Sequence, residues 1–317
     1  MDISHRSVLK NEVLELLAPK SGGELLIDCT LGEGGHSNLF LSTFPGLNVV
    51  GLDADKNIQS VAKERLAVYG KRIRFFNVWF NTFFREYPLG DERPDSILFD
   101  LGISVYHYEK SGRGFSFSKD ENLDMRLEPG LEISAADIVN NYPEEELADV
   151  IYEFGEERYS RRIAKAIVRN RSLEVVSTTK QLADIIWHSV PTDYRYGRIH
   201  PGTRTFQALR IAVNGELARL ESALSNALRA LKPGGRMGVI SFHSLEDRIV
   251  KHYFKEKSKS CTCPPEWPIC KCGGKPFVNL ITKKAIRPSE QEVKENPPSR
   301  SARFRVIEKI MDENESE

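Results

Sequence analysis

Four short apolar runs punctuate the first hundred residues, at 24–28 (ELLID), 47–53 (LNVVGLD), 72–76 (RIRFF) and 95–100 (DSILFD), with helix-like or turn-rich sequence between them. Runs that are apolar at consecutive positions, not at every second one, predict strands buried on both faces. Such strands alternating with helices build a parallel sheet covered on both sides, so an α/β fold of Rossmann-like type is expected. Leu9, Val13, Leu16 and Leu17 recur at helical spacing before Pro19 and predict an amphipathic helix leading into the first strand.

The rhythm stops after Asp100. Between 134 and 186 the patterning is helical (ADIVNNYPEEELADVIYEF, RRIAKAIV, QLADIIW), which predicts an inserted all-helical domain. Leu217, Leu220, Leu224, Leu228 and Leu231 then share one helical face. A Pro233-Gly234-Gly235 turn follows, and 236–241 (RMGVIS) reads as the strand that resumes the sheet. The segment 302–309 (ARFRVIEK) alternates and is expected to be an edge strand, with the acidic tail DENESE frayed beyond it. The expected division is 1–108 and 213–317 for the two parts of the sheet domain and 109–212 for the insertion. With 317 residues there is material for two cores.

Forty per cent apolar and 28% charged residues place the chain among globular proteins and exclude a disordered or membrane-embedded one. The N-terminal segment mixes charges into its apolar positions, unlike a secretory signal or a membrane span, so a cytoplasmic location is expected. Formal net charge is zero, and any phosphate-binding face must be local. Two acid-free stretches qualify. One holds Arg158, Arg161, Arg162, Lys165, Arg169 and Arg171; the other holds Arg195, Arg198, Arg204 and Arg210. Both fall on the insertion, which is therefore the expected contact for nucleic-acid phosphates.

From the first strand, the loop Cys29-Thr30-Leu31-Gly32-Glu33-Gly34-Gly35-His36 runs into a helix beginning near Ser37. Glycines let backbone approach a ligand, and the helix start offers unpaired N–H groups. The second strand ends at Asp53, placed to accept hydrogen bonds from a ribose, and the fourth ends at Asp100 in the same crevice. Helix capping is the structural alternative for both carboxylates. A dinucleotide fingerprint needs a third glycine where Ser37 stands, and a second mononucleotide half. S-adenosylmethionine has a ribose, an adenine and a zwitterionic tail but no pyrophosphate, which suits this loop better.

Six stretches are too specific for composition to explain: DCTLGEGGHS from Asp28, FDLGIS from Phe99, RGFSF from Arg113, LDMRL from Leu123, HPGTRTFQALRIAVNGEL from His200 and ISFHSLEDRIVK from Ile240. Together, and in order from His5 to about Arg305, they resemble the bacterial family of 16S ribosomal RNA cytosine-N4 methyltransferases, known as MraW or RsmH. The resemblance implies a class I S-adenosylmethionine methyltransferase domain interrupted by a helical domain. It also implies methylation of a cytosine in the decoding centre of the small ribosomal subunit, with no metal, no DNA and no membrane partner. The cofactor contacts it implies fall on Gly34, Gly35, His36, Asp53, Phe80 and Asp100. The family's next contact is a glutamine in a motif like DLGVSSPQ; here the stretch reads DLGISVYH, with His107 in that region.

An exocyclic cytosine amine is a poor nucleophile because its lone pair is delocalised, so it must be oriented and its hydrogen accepted by a carboxylate or hydroxyl. Asp100 and Ser104 are the nearest candidates. Asp124 and Arg126 of LDMR and His243 of SFHSLED are further ones, although His243 equally reads as the cap of a helix starting at Ser244. Phe115, Phe117, Tyr106 and Tyr108 are the aromatic platforms expected to hold an unstacked base. Cys261, Cys263, Cys270 and Cys272 allow a four-thiolate zinc site, but their single-residue gaps are tighter than structural zinc favours, and a loop of reduced thiols is the alternative. Two rival functions are a DNA cytosine-N4 methyltransferase and a non-catalytic RNA-binding assembly factor. A DNA enzyme of that kind carries a proline-rich tetrapeptide after the fourth strand, where DLGI stands. Loss of Asp53 or of the glycine loop would favour the second rival, and both are intact.

Overall fold

The computed structural model describes residues 6–20, 24–260, 263, 267 and 275–311. The chain divides into two compact units, one formed by Met1–Gly102 and Leu217–Glu317, the other by Ile103–Glu216. These junctions lie a few residues outside the 109–212 read from patterning. Ile103 packs on the core of the second unit and Glu216 is ion-paired with Arg210, which draws both ends into it.

The first unit holds seven strands: β1 (Leu25–Asp28), β2 (Asn48–Leu52), β3 (Ile73–Phe76), β4 (Ser96–Asp100), β5 (Arg236–Ser241), β6 (Val278–Leu280) and β7 (Arg303–Lys309). Their order is β3-β2-β1-β4-β5-β7-β6. The first five pair in parallel, and β7 runs antiparallel to both β5 and β6. β1 is buried at all four positions because successive side chains enter opposite cores. Leu25 and Ile27 join Ile97, Phe99 and the leucines of the helix Glu216–Ala230 on one face. Leu26 joins Leu98, Phe40 and Ala62 on the other.

The segment around 302–309 is not at the edge. β7 lies between β5 and β6, and the edge is the three-residue β6, which sequence patterning misses. Alternation fits a strand with one solvated face, but here the residues turned away from the core are charged and paired. Arg303 and Arg305 meet Asp247, and Lys309 donates from its Nζ to the carbonyls of Leu228 and Leu231 at the end of a helix. Antiparallel β7 also separates this sheet from the all-parallel dinucleotide order. The C-terminal acidic tail falls outside the described residues, as do Cys261, Cys270 and Cys272 of the cysteine cluster.

The second unit is helical, with helices Ala135–Asn141, Glu144–Gly155, Ser160–Arg171, Thr179–Ser189 and Gly202–Asn214 around a core that includes Ile138, Ile151, Ile163, Ile167, Ile186 and Leu209. Capping boxes start two of these helices, Ser134 with Asp137 and Thr178 with Gln181, and satisfy N–H groups that helix geometry leaves unpaired. Gly155 is required by close packing, since a Cβ there would meet the Arg204 carbonyl at 2.6 Å. No helix among the described residues is long and apolar enough to cross a membrane.

Candidate active site

The carboxyl ends of β1, β2 and β4 end together, because register pairs Asp28 with Gly51 and with Leu98. Beyond β1 the chain turns through Gly32 and Gly34 into the helix Gly35–Thr43. Gly34 has φ 76° and ψ 28°, the left-handed region that a side chain disfavours. Gly35 and His36 are the first two residues of that helix. The loop is fastened to β2 through Asp53, whose Oδ2 accepts the Gly32 N–H at 2.8 Å while its Oδ1 accepts the Asp55 N–H at 2.8 Å. Asp53 is thus neither a bare acid nor a simple helix cap: the cap of the next helix is Asp55.

Beneath the loop lies a buried polar cluster. Asp28, 2% exposed, accepts the Ser37 hydroxyl at 2.6 Å. His36, 5% exposed, places Nε2 3.4 Å from Asp100 Oδ2, an ion-pair approach without the alignment of a hydrogen bond. Burial opposes a charge on His36, but the carboxylates of Asp100, Asp28 and Glu292 outweigh it and raise its pKa. Burial also lifts Asp28, although Ser37 and His36 pull it down. The Asp100 N–H donates to Thr30 Oγ1 at 2.7 Å, which ties β4 to the loop after β1. Asp100 Oδ1 and both ring nitrogens of His36 are buried without a hydrogen-bond partner among the described residues. Orphaned polar atoms at strand tips fit a polar ligand, since leaving one unmet costs about 1–3 kcal/mol.

Phe80 opens the helix Phe80–Glu86 and sets its ring edge-on to Phe99 at 5.5 Å, partly in the core and partly at the rim. His243 caps the helix Ser244–Lys257. Its Nδ1 accepts the Glu246 N–H at 3.4 Å, and Glu246 returns the favour to the N–H groups of Phe242 and His243. His243 Nε2 lies 3.2 Å from Glu246 Oε1. Asp28, Thr30 and Ser37 escaped sequence reasoning as site residues, although DCT and GGHS bracket the glycines; polar residues at such positions were the available signal.

Ser104, His107 and Asp124 belong to the second unit. Ser104 caps the short helix Val105–Glu109 by accepting the Tyr106 N–H at 3.3 Å. His107 is buried, edge-on to Phe115 at 5.4 Å. Asp124 is gripped by Arg126, Nε to Oδ1 at 2.7 Å and Nη2 to Oδ2 at 3.0 Å, which outweighs burial and lowers its pKa. Between them Met125 is fully buried at φ 59°, held through its carbonyl by Asn214 Nδ2 at 2.8 Å. Surrounding bonds hold Met125 in this disfavoured conformation.

The expected aromatic and basic residues separate into two kinds. Phe115 is core, whereas Tyr108 is exposed. Arg161, Arg162, Lys165 and Arg169 face solvent, as does Arg198. Arg171 and Arg210 do not: Arg171 donates to the carbonyls of Val139 and Tyr142, and Arg210 is buried in a two-pronged pair with Glu216 at 2.8 Å. Both are stitches within the unit, which corrects their expected place on a phosphate-binding face.

A sequence profile described as the MraW methylase family matches residues 2–310. The chain is 59% identical over 306 residues to a Treponema denticola protein named ribosomal RNA small subunit methyltransferase H, covering 96% of this chain and 97% of the relative. Proteins of the same name from Syntrophobacter fumaroxidans and Citrifermentans bemidjiense are each 48% identical, covering 97% and 98% of this chain and 97% and 99% of the relatives.

Proposed function

Because the chain belongs to the MraW methylase family, we propose that it transfers a methyl group from S-adenosylmethionine to N4 of a cytosine in the decoding centre of 16S ribosomal RNA, acting in the cytoplasm on the small ribosomal subunit. The observation that carries the reading is the meeting of the Gly34 loop, Asp53 and Asp100 at adjacent strand tips, where Asp100 Oδ1 is buried without a hydrogen-bond partner among the described residues.

The bound cofactor supplies a methyl group on positively charged sulfur. The chain's residues do the rest. N–H groups at the start of the helix Gly35–Thr43 would receive the carboxylate of the methionine tail. Asp53, at the tip of β2, would accept hydrogen bonds from the ribose hydroxyls. Phe80 would cover the adenine. Asp100 Oδ1 accepts a hydrogen from the cytosine amine, which raises electron density on nitrogen as it attacks. His36, with Nε2 3.4 Å from Asp100 Oδ2, would orient that carboxylate. Asp124, with both oxygens taken up by Arg126, orients the 113–131 loop, and His243 caps its helix. The exposed cations of the helix Ser160–Arg171 meet phosphates.

Incubation with labelled cofactor and small subunits lacking the modification, followed by mapping of the labelled nucleotide, tests the assignment. Label on N4 of one 16S cytosine is expected. Label in DNA or protein but not in ribosomal RNA would overturn it.

A further inference from the structure

The second unit carries a row of rings that the proposed chemistry does not use. His200 lies nearly flat on Trp187, centroids 5.3 Å apart and planes 22° from parallel, and Phe117 packs on His200 at 4.5 Å. Tyr196 meets Trp187 edge-on at 5.8 Å. Phe117 also rests on Phe206, which is buried, whereas Tyr196 is 78% exposed. The row thus runs from the core to the solvent and holds an outer ring on a rigid stack. A tyrosine so exposed adds little by burial, but a ring held in place loses little entropy when another ring lies on it.

A cation packs on two further rings of the same unit. Arg158 lies over both Tyr159 and Tyr194, at 4.8 and 5.0 Å, so the start of the basic helix packs beside the segment that carries Tyr196 and Arg198. Burial depresses the pKa of His200, with only Asp184 opposing, which keeps that ring uncharged at neutral pH. Paired RNA offers phosphates but hides its base faces, whereas an unpaired strand offers both. An exposed ring held on a stack, in a unit that also carries exposed arginines, matches the second.

We propose that Tyr196 and Trp187, with the exposed Arg198 two residues along the chain from Tyr196, form a stacking subsite for an unpaired base in the RNA strand flanking the methylated cytosine. The subsite rests on the reading of the substrate as RNA and adds where, and in what form, the strand is gripped.

The test uses the full chain and a short single-stranded RNA, with the same strand annealed to its complement as comparison. Binding is followed by anisotropy and by quenching of tryptophan emission. Tyr196→Ala should weaken single-strand binding by about five- to a hundredfold, leave duplex binding unchanged, and be rescued by Tyr196→Phe. Trp187→Phe, which keeps a ring in the stack, should reduce the quenching while preserving the fold by circular dichroism. With small subunits as substrate, Tyr196→Ala should raise KM and leave kcat unchanged. Equal binding by Tyr196→Ala and wild type, or loss of single strand and duplex alike, overturns the subsite. A change only in self-association on sedimentation also overturns it and makes the patch a contact between copies. Wild-type protein that puts no label into ribosomal RNA would refute the functional reading itself; wild type that labels it, with a Tyr196→Ala variant that binds normally, would refute the subsite alone.

Discussion

Gly34→Ala probes the loop that meets Asp53. A Cβ at Gly34 would lie 2.8 Å from Leu66 Cδ1, 3.2 Å from Leu66 Cγ and 3.5 Å from Ala62 Cβ, and Leu66 is itself fully buried. Placing an L residue in the left-handed region costs roughly 1–2 kcal/mol. Forcing a methyl group against packed Leu66 adds about 1–3 kcal/mol. Alanine's stiffer unfolded chain returns about 0.4–1 kcal/mol. The net loss is about 2–4 kcal/mol, or roughly 5–15 °C of melting temperature for a domain of this size. Gly90→Ala separates the two contributions, because Gly90 also has positive φ, 59°, but nothing lies within 4 Å of its Cβ position. Calorimetric melting and titration with S-adenosylmethionine, run on both variants, read stability and cofactor uptake together. Gly34→Ala should lose more of each. Equal destabilisation by the two variants refutes the steric part, and unchanged cofactor affinity in a destabilised Gly34→Ala refutes the loop as the cofactor's cradle.

Arg210→Ala strands the largely covered Glu216 carboxylate and should cost about 3–5 kcal/mol in urea unfolding, whereas the double change Arg210→Met with Glu216→Leu should be far milder; equal losses would mean the pair is not the cause. Burial opposes ionisation of Asp247, but Arg305 and Arg303 outweigh it and hold its carboxyl below the usual range. A depressed folded-state value gives stability that is present above the unfolded pKa near 3.9 and fades as pH falls through the folded one. Asp247→Asn should therefore cost about 1–3 kcal/mol at neutral pH, a gap that narrows in acid; a gap independent of pH speaks against the ion pair. His36 has the opposite sign. Its value is raised, so its stabilisation is complete below about pH 6.5 and is lost as pH rises through the folded-state value. His36→Gln should flatten the stability curve on that alkaline side, and a curve of unaltered shape would dismiss the charged histidine.

The central parallel strands were legible because they are buried on both faces and read as unbroken apolar runs, as LLID and SILFD do, whereas β3 at the sheet's end is only partly buried. β7 was seen but misplaced: its alternation signals one polar face and cannot say that Asp247 would neutralise that face inside the sheet. β6 has three residues, too few for any periodicity. Asp53 and the glycines were expected at strand tips, and the register does bring those tips to one edge. The partnership of Asp28, His36 and Asp100 was not, because it depends on side chains from three separate segments meeting in space. The basic stretches show the limit of counting charges, for the same acid-free run supplies Arg169 to solvent and Arg171 to buried carbonyls.

The discontinuity of the sheet unit bears on how the chain acquires its shape during synthesis. β4 ends at Asp100, and its neighbour β5 does not begin until Arg236. A strand awaiting its neighbour presents unpaired N–H and C=O groups that another chain can claim. Meanwhile Ile103–Glu216 leaves the ribosome carrying a complete core of its own. The helical segment can thus fold before β5 is synthesised while the sheet can be completed only afterwards, which makes the half-built sheet the stage at which a chaperone has most to shield.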